Sequence, residues 1–312
     1  MAKLTDTPIM QADITEFLNT RSDFGFEVKT LSKLCQLGFV CSHAGTYEDP
    51  TTGKARQFDI RATKDRLLAE NLVFRLQLSV ECKNLRPNFP LLIHCMPRLK
   101  IEAGQPWIWS FPAVYYGYYN MGGHTVYARP IYPSAGINLY SEGLPVGKAT
   151  DQVGRRFGDG QLVENDVEVF DKVSQAVNSA YELVRRSCFA SSSSSFPHVV
   201  SLVVPVLVVP DGHLWVVGYD DAGNVTSGPE TAKSIEFYLG RHVEVDQGDS
   251  KLTYALTHLE IVQISELGNL IVKLLNENSV TVDAVRSLLA EDARVANQIT
   301  FVNSASSGIS PP

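Results

Sequence analysis

Between Leu72 and Cys82 every second residue is apolar: Leu72, Phe74, Leu76, Leu78, Val80 and Cys82 alternate with a set that includes Arg75, Gln77, Ser79 and Glu81 and continues at Lys83. A period of two predicts a strand with one buried face. The segment before it repeats the pattern, with Phe58, Ile60 and Ala62 on one side and Gln57, Asp59 and Arg61 on the other. Joined by a loop over 64–71, the two strands pair antiparallel, which puts Asp59 on one face with Glu81 and Lys83. The same alternation also describes the solvated outer face of a one-sided sheet.

Upstream, 11–37 reads as helix in one or two pieces, with a break near Ser22 and Gly25. Val28, Leu31, Leu34 and Cys35 recur at helical spacing, and Gly38 is the expected C-terminal cap. Glu27 falls on or beside that stripe, either as a functional acid or as a first-turn carboxylate favoured by the helix dipole. Residues 39–48 read as a first strand, with Asp49, Pro50 and Gly53 turning into the next.

Downstream, a short apolar run covers 91–95. The stretch 106–133 is crowded with Trp107, Trp109, Phe111, Tyr115, Tyr116, Tyr118, Tyr119, Tyr127 and Tyr132. It reads as a strand-and-loop insertion packing its own small core, or as a platform for unpaired bases. The run 143–148 (GLPVGK) has three residues between its glycines and is followed by Ala149, so it does not make a phosphate loop.

Helix is predicted over 165–186, with Phe170, Val173, Val177, Ala180, Tyr181 and Val184 as its stripe and Arg185 and Arg186 at its C-terminal end. The serines of 191–195 read as a linker. The run 199–209 reads as a strand buried on both faces, bulged or broken at Pro205, with 214–219 as its hairpin partner. Further strands are expected at 242–246 and 252–264, helices at 266–276 and 282–289, and a disordered tail at 304–312.

The chain of 312 residues, 44% hydrophobic, has room for one large domain with insertions or two modest ones. Its longest apolar run is too short for a bilayer and its first residues lack a signal-peptide pattern, so a cytoplasmic protein without a membrane partner is expected. Five cysteines without a Cys-x-x-Cys pair read as reduced core thiols. The net charge of −7 argues against a protein that coats nucleic acid indiscriminately. Residues 51–100, however, hold ten Lys or Arg against four Asp or Glu, a local patch able to guide a polyanion.

Glu-x-Lys occurs twice, at Glu27–Lys29 and Glu81–Lys83, and only the second lies in a strand pattern, where positions i and i+2 sit side by side. With Asp59 on the preceding strand, the order helix, three antiparallel strands, helix, buried strand resembles the PD-(D/E)xK, or restriction-endonuclease-like, nuclease superfamily. The resemblance covers about residues 20–210, with an insertion at 86–160, inside a core domain expected over 10–210. It departs from the pattern at Phe58, where the name-giving Pro would precede the acid.

The resemblance implies an α/β fold with a mixed central sheet flanked by helices, an aromatic-rich insertion, and a C-terminal extension over 211–303. It also implies a metal-dependent nuclease that hydrolyses phosphodiester bonds, in DNA above all. Asp59, Glu81 and Lys83 take the catalytic positions, and Glu27 matches the acid that many members add from their first helix. Mg²⁺ or Mn²⁺ binds hard oxygen ligands and keeps several waters, so Asp59, Glu81 and the Cys82 backbone carbonyl suffice as protein ligands. Lys83 then orients or deprotonates a water, and Gln57 holds water or substrate. The alternative is a noncatalytic module of the same fold that binds nucleic acid or a protein partner, with a homo-oligomer also open.

Overall fold

Two helices open the chain, α1 (Gln11–Thr20) and α2 (Phe24–Gln36). The computed structural model describes residues 5–20, 22–50, 52–112, 126–132, 139–165, 167–189, 198–247 and 250–275. The expected helix 282–289, the serine linker, the tail and Tyr115, Tyr116, Tyr118 and Tyr119 lie outside these. Helix α2 ends as predicted at Gly38: with φ at 81°, Gly38 donates its N–H to the Cys35 carbonyl, and Phe39 donates to Leu34. This double bond pattern satisfies the last carbonyls and requires a residue at home in the left-handed region. The buried stripe of α2 is Phe26, Thr30 and Leu34, whereas Val28 and Cys35 are exposed. The expected stripe was therefore misphased, and Cys35 is not a core thiol.

The strand expected over 39–48 is two, β1 (Val40–His43) and β2 (Thr46–Glu48), divided at Ala44 and Gly45. A side chain at Gly45 would meet the Phe58 ring at 2.5 Å, so the chain can pass there only without a Cβ. β3 (Ala55–Gln57) pairs with β2 in a separate two-stranded sheet. The break at 58–59 frees Asp59 from regular pairing before β4 (Ile60–Ala69) joins the main sheet. The loop expected over 64–71 is mostly strand. β4 runs to Ala69 and a tight turn at Glu70 and Asn71 leads into β5 (Leu72–Cys82), with Arg75 bonded across the pair to both Asp65 oxygens at 2.7 and 2.6 Å.

The chain continues through β6 (Leu91–Pro97), β7 (Trp107–Pro112), β8 (Val126–Ile131), β9 (Pro145–Arg155), β10 (Leu162–Glu164), α3 (Val167–Ser187), β11 (His198–Val209), β12 (Leu214–Tyr219), β13 (Val225–Thr231), β14 (Ser234–Gln247), β15 (Ser250–Gln263) and α4 (Leu267–Leu275). Among the described residues all strands except β2 and β3 join one 13-stranded mixed sheet, with the path β1-β4-β5-β11-β15-β14-β9-β6-β12-β13. The fold is thus mixed α/β, and the strands after residue 211 belong to the same sheet. β11 runs parallel to β5 along its length and parallel to β15 at its end. Pro205 breaks nothing: it falls between the residues that pair with β7 (Val199–Ser201) and those that pair with β15 (from Val206), where no ladder bond to that side is required of it. β12 is not the partner of β11 and pairs instead with β6 and β13.

α2 and α4 pack on the face of β5 that carries Leu72 to Cys82, while α3 covers the other. Strand β5 is therefore buried on both sides, and Gln77, Ser79 and Glu81 are buried polar groups rather than a solvated face. Each needs a partner. Gln77 bonds Ser187, Ser79 donates to the Ala176 carbonyl, and Arg61 on β4 bonds Ser179 and Glu182. Trp107, Trp109 and Phe111 join the main core through β7 instead of forming one of their own. No helix among the described residues is long and apolar enough to cross a membrane.

Candidate active site

β4 and β5 are in register with Ile60 opposite Val80, so extending the pair by one residue places Asp59 beside Glu81. The Asp59 N–H donates to Glu81 Oε1 at 3.2 Å, and the Cys82 N–H donates to Asp59 Oδ2 at 2.8 Å. Asp59 is 8% exposed and Glu81 fully buried. The two acids expected to share a face do so.

The lysine between them is not Lys83. Lys172 of α3 places Nζ 3.0 and 2.7 Å from the two Asp59 oxygens and 3.1 Å from Glu81 Oε2. Lys83 bonds Glu168 at 2.7 Å and stands 3.6 Å from Asp23. The cause is a match of spacings. Two residues along a strand advance about 6.6 Å and four along a helix about 6 Å, so pairs on antiparallel neighbours stay level. Glu81 near the end of β5 and Lys83 just past it face Lys172 then Glu168 on α3, with opposite charge at each level.

Glu27, from the first turn of α2, accepts a bond from His43 of β1 at 3.3 Å. It lies close enough to Asp59 and Lys172 for their charges to move its titration. Gln57 stands apart on β3, exposed, its amide 3.4 Å from the Ala44 carbonyl. Among the described residues no three His, Cys, Asp or Glu side chains converge as a ready metal cage. Lys172 occupies the space between two of the carboxylates, and Glu27 turns to His43.

Electrostatically the cluster is short of positive charge. Burial and then Asp59 push the Glu81 carboxyl up to about 8, with Lys172 opposing. Burial and then Asp59 also raise Glu27, offset in part by His43 and Lys172. Burial works against the Lys172 ammonium, but Glu81 and Asp59 outweigh it and hold its pKa above the usual lysine value. An additional cation beside Asp59 and Glu81 would relieve the excess, and their oxygens are the hard ligands that Mg²⁺ or Mn²⁺ takes.

Sequence reasoning missed Lys172 and His43. Lys172 did leave a signal: it lies three residues after Val169 and four before Ala176, both buried, so it is a charge on the covered stripe of α3. The expected stripe holds at Val177, Ala180 and Val184, but its first residue, Phe170, is 61% exposed, and the covered face extends to the Val169–Ala176 side instead.

Comparison of the chain with profiles of known protein families, with curated proteins and with solved structures finds no match in any of the three.

Proposed function

We propose that the protein is a metal-dependent phosphodiesterase acting on nucleic acid, DNA first among the substrates, built on a restriction-endonuclease-like core. The observation that carries this reading is the buried Asp59–Glu81 pair, bridged by Lys172 and left with more carboxylate than cation. The order α2, β1, β4, β5, α3, β11, with the first three strands antiparallel and β11 parallel to β5, supports the core.

Asp59, Glu81 and the Cys82 carbonyl would hold Mg²⁺ or Mn²⁺, which supplies Lewis acidity and lowers the pKa of a coordinated water. Lys172 takes the role expected of Lys83. Its ammonium, released from the carboxylates, orients the attacking water or stabilises the charge that develops on phosphate. The Asp59 carboxylate is held in place by the Cys82 N–H, and Glu27 with His43 stands at the edge as a group able to accept or relay a proton. One observation favours a noncatalytic module instead: Lys172 already satisfies three carboxylate oxygens, as a structural bridge would.

Incubating the full chain with single- and double-stranded DNA in Mg²⁺ or Mn²⁺ separates the two. Metal-dependent cleavage is expected, reduced about 10²- to 10⁴-fold in Lys172→Ala and less than about tenfold in Lys83→Ala. Cleavage by the wild type that persists in Asp59→Asn would overturn the site, and no cleavage under any condition would leave the noncatalytic reading.

A further inference from the structure

The level below the carboxylate pair opens into a groove of about 430 Å³ whose walls include Asp23, Lys83, Arg86, Phe89, Arg155 and Glu168. It borders the candidate site along the three segments that build that site. Asp23, at the N-cap of α2, lies four residues before Glu27; Lys83, just past β5, lies two after Glu81; on α3, Glu168 lies four before Lys172. Both helices begin here, so their N-terminal dipoles point positive toward the groove.

Three arginines of the basic window 51–100 are spent elsewhere: Arg61 is committed to Glu182, Arg75 to Asp65 and Arg98 to Glu236. Among the described residues Arg86 makes no ion pair, and Arg155, exposed on β9, donates only to the Gly160 carbonyl at 3.1 Å. Lys83, 14% exposed on its side chain, stands between Glu168, which is 66% exposed, and Asp23 at 3.6 Å; the bond to the exposed Glu168 is the one a phosphate displaces. Asn84 and Asn88 add amide groups, and the half-buried Phe89 ring lies against Gly154, where a Cβ would come within 2.7 Å of it.

We propose that this groove binds the phosphodiester next to the one being cleaved, with Arg86 and Arg155 as its anion-binding groups and Lys83 recruited from Glu168 when the backbone arrives. This rests on the nuclease reading and extends it: Lys83 binds substrate rather than performing the chemistry, and the strand enters along the α2 and α3 N-termini. Two guanidiniums at the groove suit a backbone followed by charge, with no base read.

The test is binding without chemistry. Fluorescence anisotropy of a labelled oligodeoxynucleotide in EDTA, titrated with the full chain across a range of salt, should show the Arg86→Ala, Arg155→Ala double variant binding at least about tenfold more weakly. Its slope of log K against log salt should be shallower by about two, one for each phosphate contact removed. The double Arg→Lys variant should keep most of the slope, and Arg185→Ala, exposed at the far end of α3, should match the wild type. Wild-type binding with affinity and slope unchanged in the double alanine variant overturns the groove and leaves the catalytic site standing. Absence of both binding and cleavage in the wild type overturns the nuclease reading and the groove together.

Discussion

The structure contains two buried clusters of the same outline, a helix lysine set between two strand carboxylates, and only one of them is balanced. In the first, Lys172 of α3 bridges Asp59 and Glu81. In the second, Lys273 of α4 bridges Glu236 of β14 and Glu260 of β15, with 3.0 Å to Glu260. There Arg98, itself fully buried, supplies another cation to Glu236 and also bonds the Ser141 carbonyl at 2.7 Å and His258 at 3.2 Å. Burial and then Arg98 push His258 down to about 2, so it is neutral and its Nε2 accepts a hydrogen bond from Arg98 Nε. Tyr140 stacks on it at 3.8 Å. Burial opposes the charge on Glu236, yet Lys273 and Arg98 outweigh it and lower its pKa, whereas burial and Glu236 raise the deeper Glu260 against Lys273. Glu81 is pushed up to about 8 by burial and then by Asp59, with the Lys172 ammonium the one cation opposing. The difference that remains is the charge count, two cations to two carboxylates in one cluster and one to two in the other, and the proposed metal site rests on it.

Removing each lysine would break or sharpen that distinction most. Lys273→Met leaves buried carboxylates with one cation and is expected to cost about 3–5 kcal/mol in urea unfolding at pH 7. Lys172→Met is expected to cost less than about half of that, because Glu81 can take up a proton, and added Mn²⁺ should recover the loss. Equal losses without metal rescue would erase the distinction.

The pH dependence should follow Glu81. Its folded pKa of about 8 exceeds the ordinary 4.5, so its stabilising contribution is whole below about 4.5 and is lost as pH rises through about 8. Each tenfold change in proton affinity is worth about 1.4 kcal/mol, and the coupling to Asp59 and Lys172 limits the fall to a few kcal/mol. Glu81→Gln should flatten the stability curve between those pH values; a wild-type curve already flat there would contradict the excess charge. Smallest is the metal effect on the intact protein. Mg²⁺ or Mn²⁺ at a hundredfold excess over Kd should stabilise the wild type by about 2–3 kcal/mol in thermal unfolding and leave Asp59→Asn unmoved.

Much of this was legible from local pattern. The bounds of β5 and the shared face of Asp59 and Glu81 follow from a period of two, and the end of α2 follows from Gly38. The patterns that failed were those in which a second surface decides burial. Of the stripe expected for α3, Val177, Ala180 and Val184 are buried and Phe170 alone is exposed, but the covered face is wider and takes in Val169 and Ala176 with Lys172 between them, which apolar spacing alone does not show. The strand expected over 39–48 split because Gly45 passes the Phe58 ring, a contact between residues thirteen apart. Residues 214–219 were matched to β11 by adjacency, whereas the sheet sends them to β6.

By itself, then, the sequence determined that two acids would stand side by side at one end of a strand. Which lysine joins them was decided only by tertiary structure. Lys83 is two residues from Glu81, but its place just past β5 lies level with Glu168, one helical turn from Lys172. The antiparallel packing of α3 on β5 pairs each charge with its opposite across the layer rather than with its neighbour along the chain.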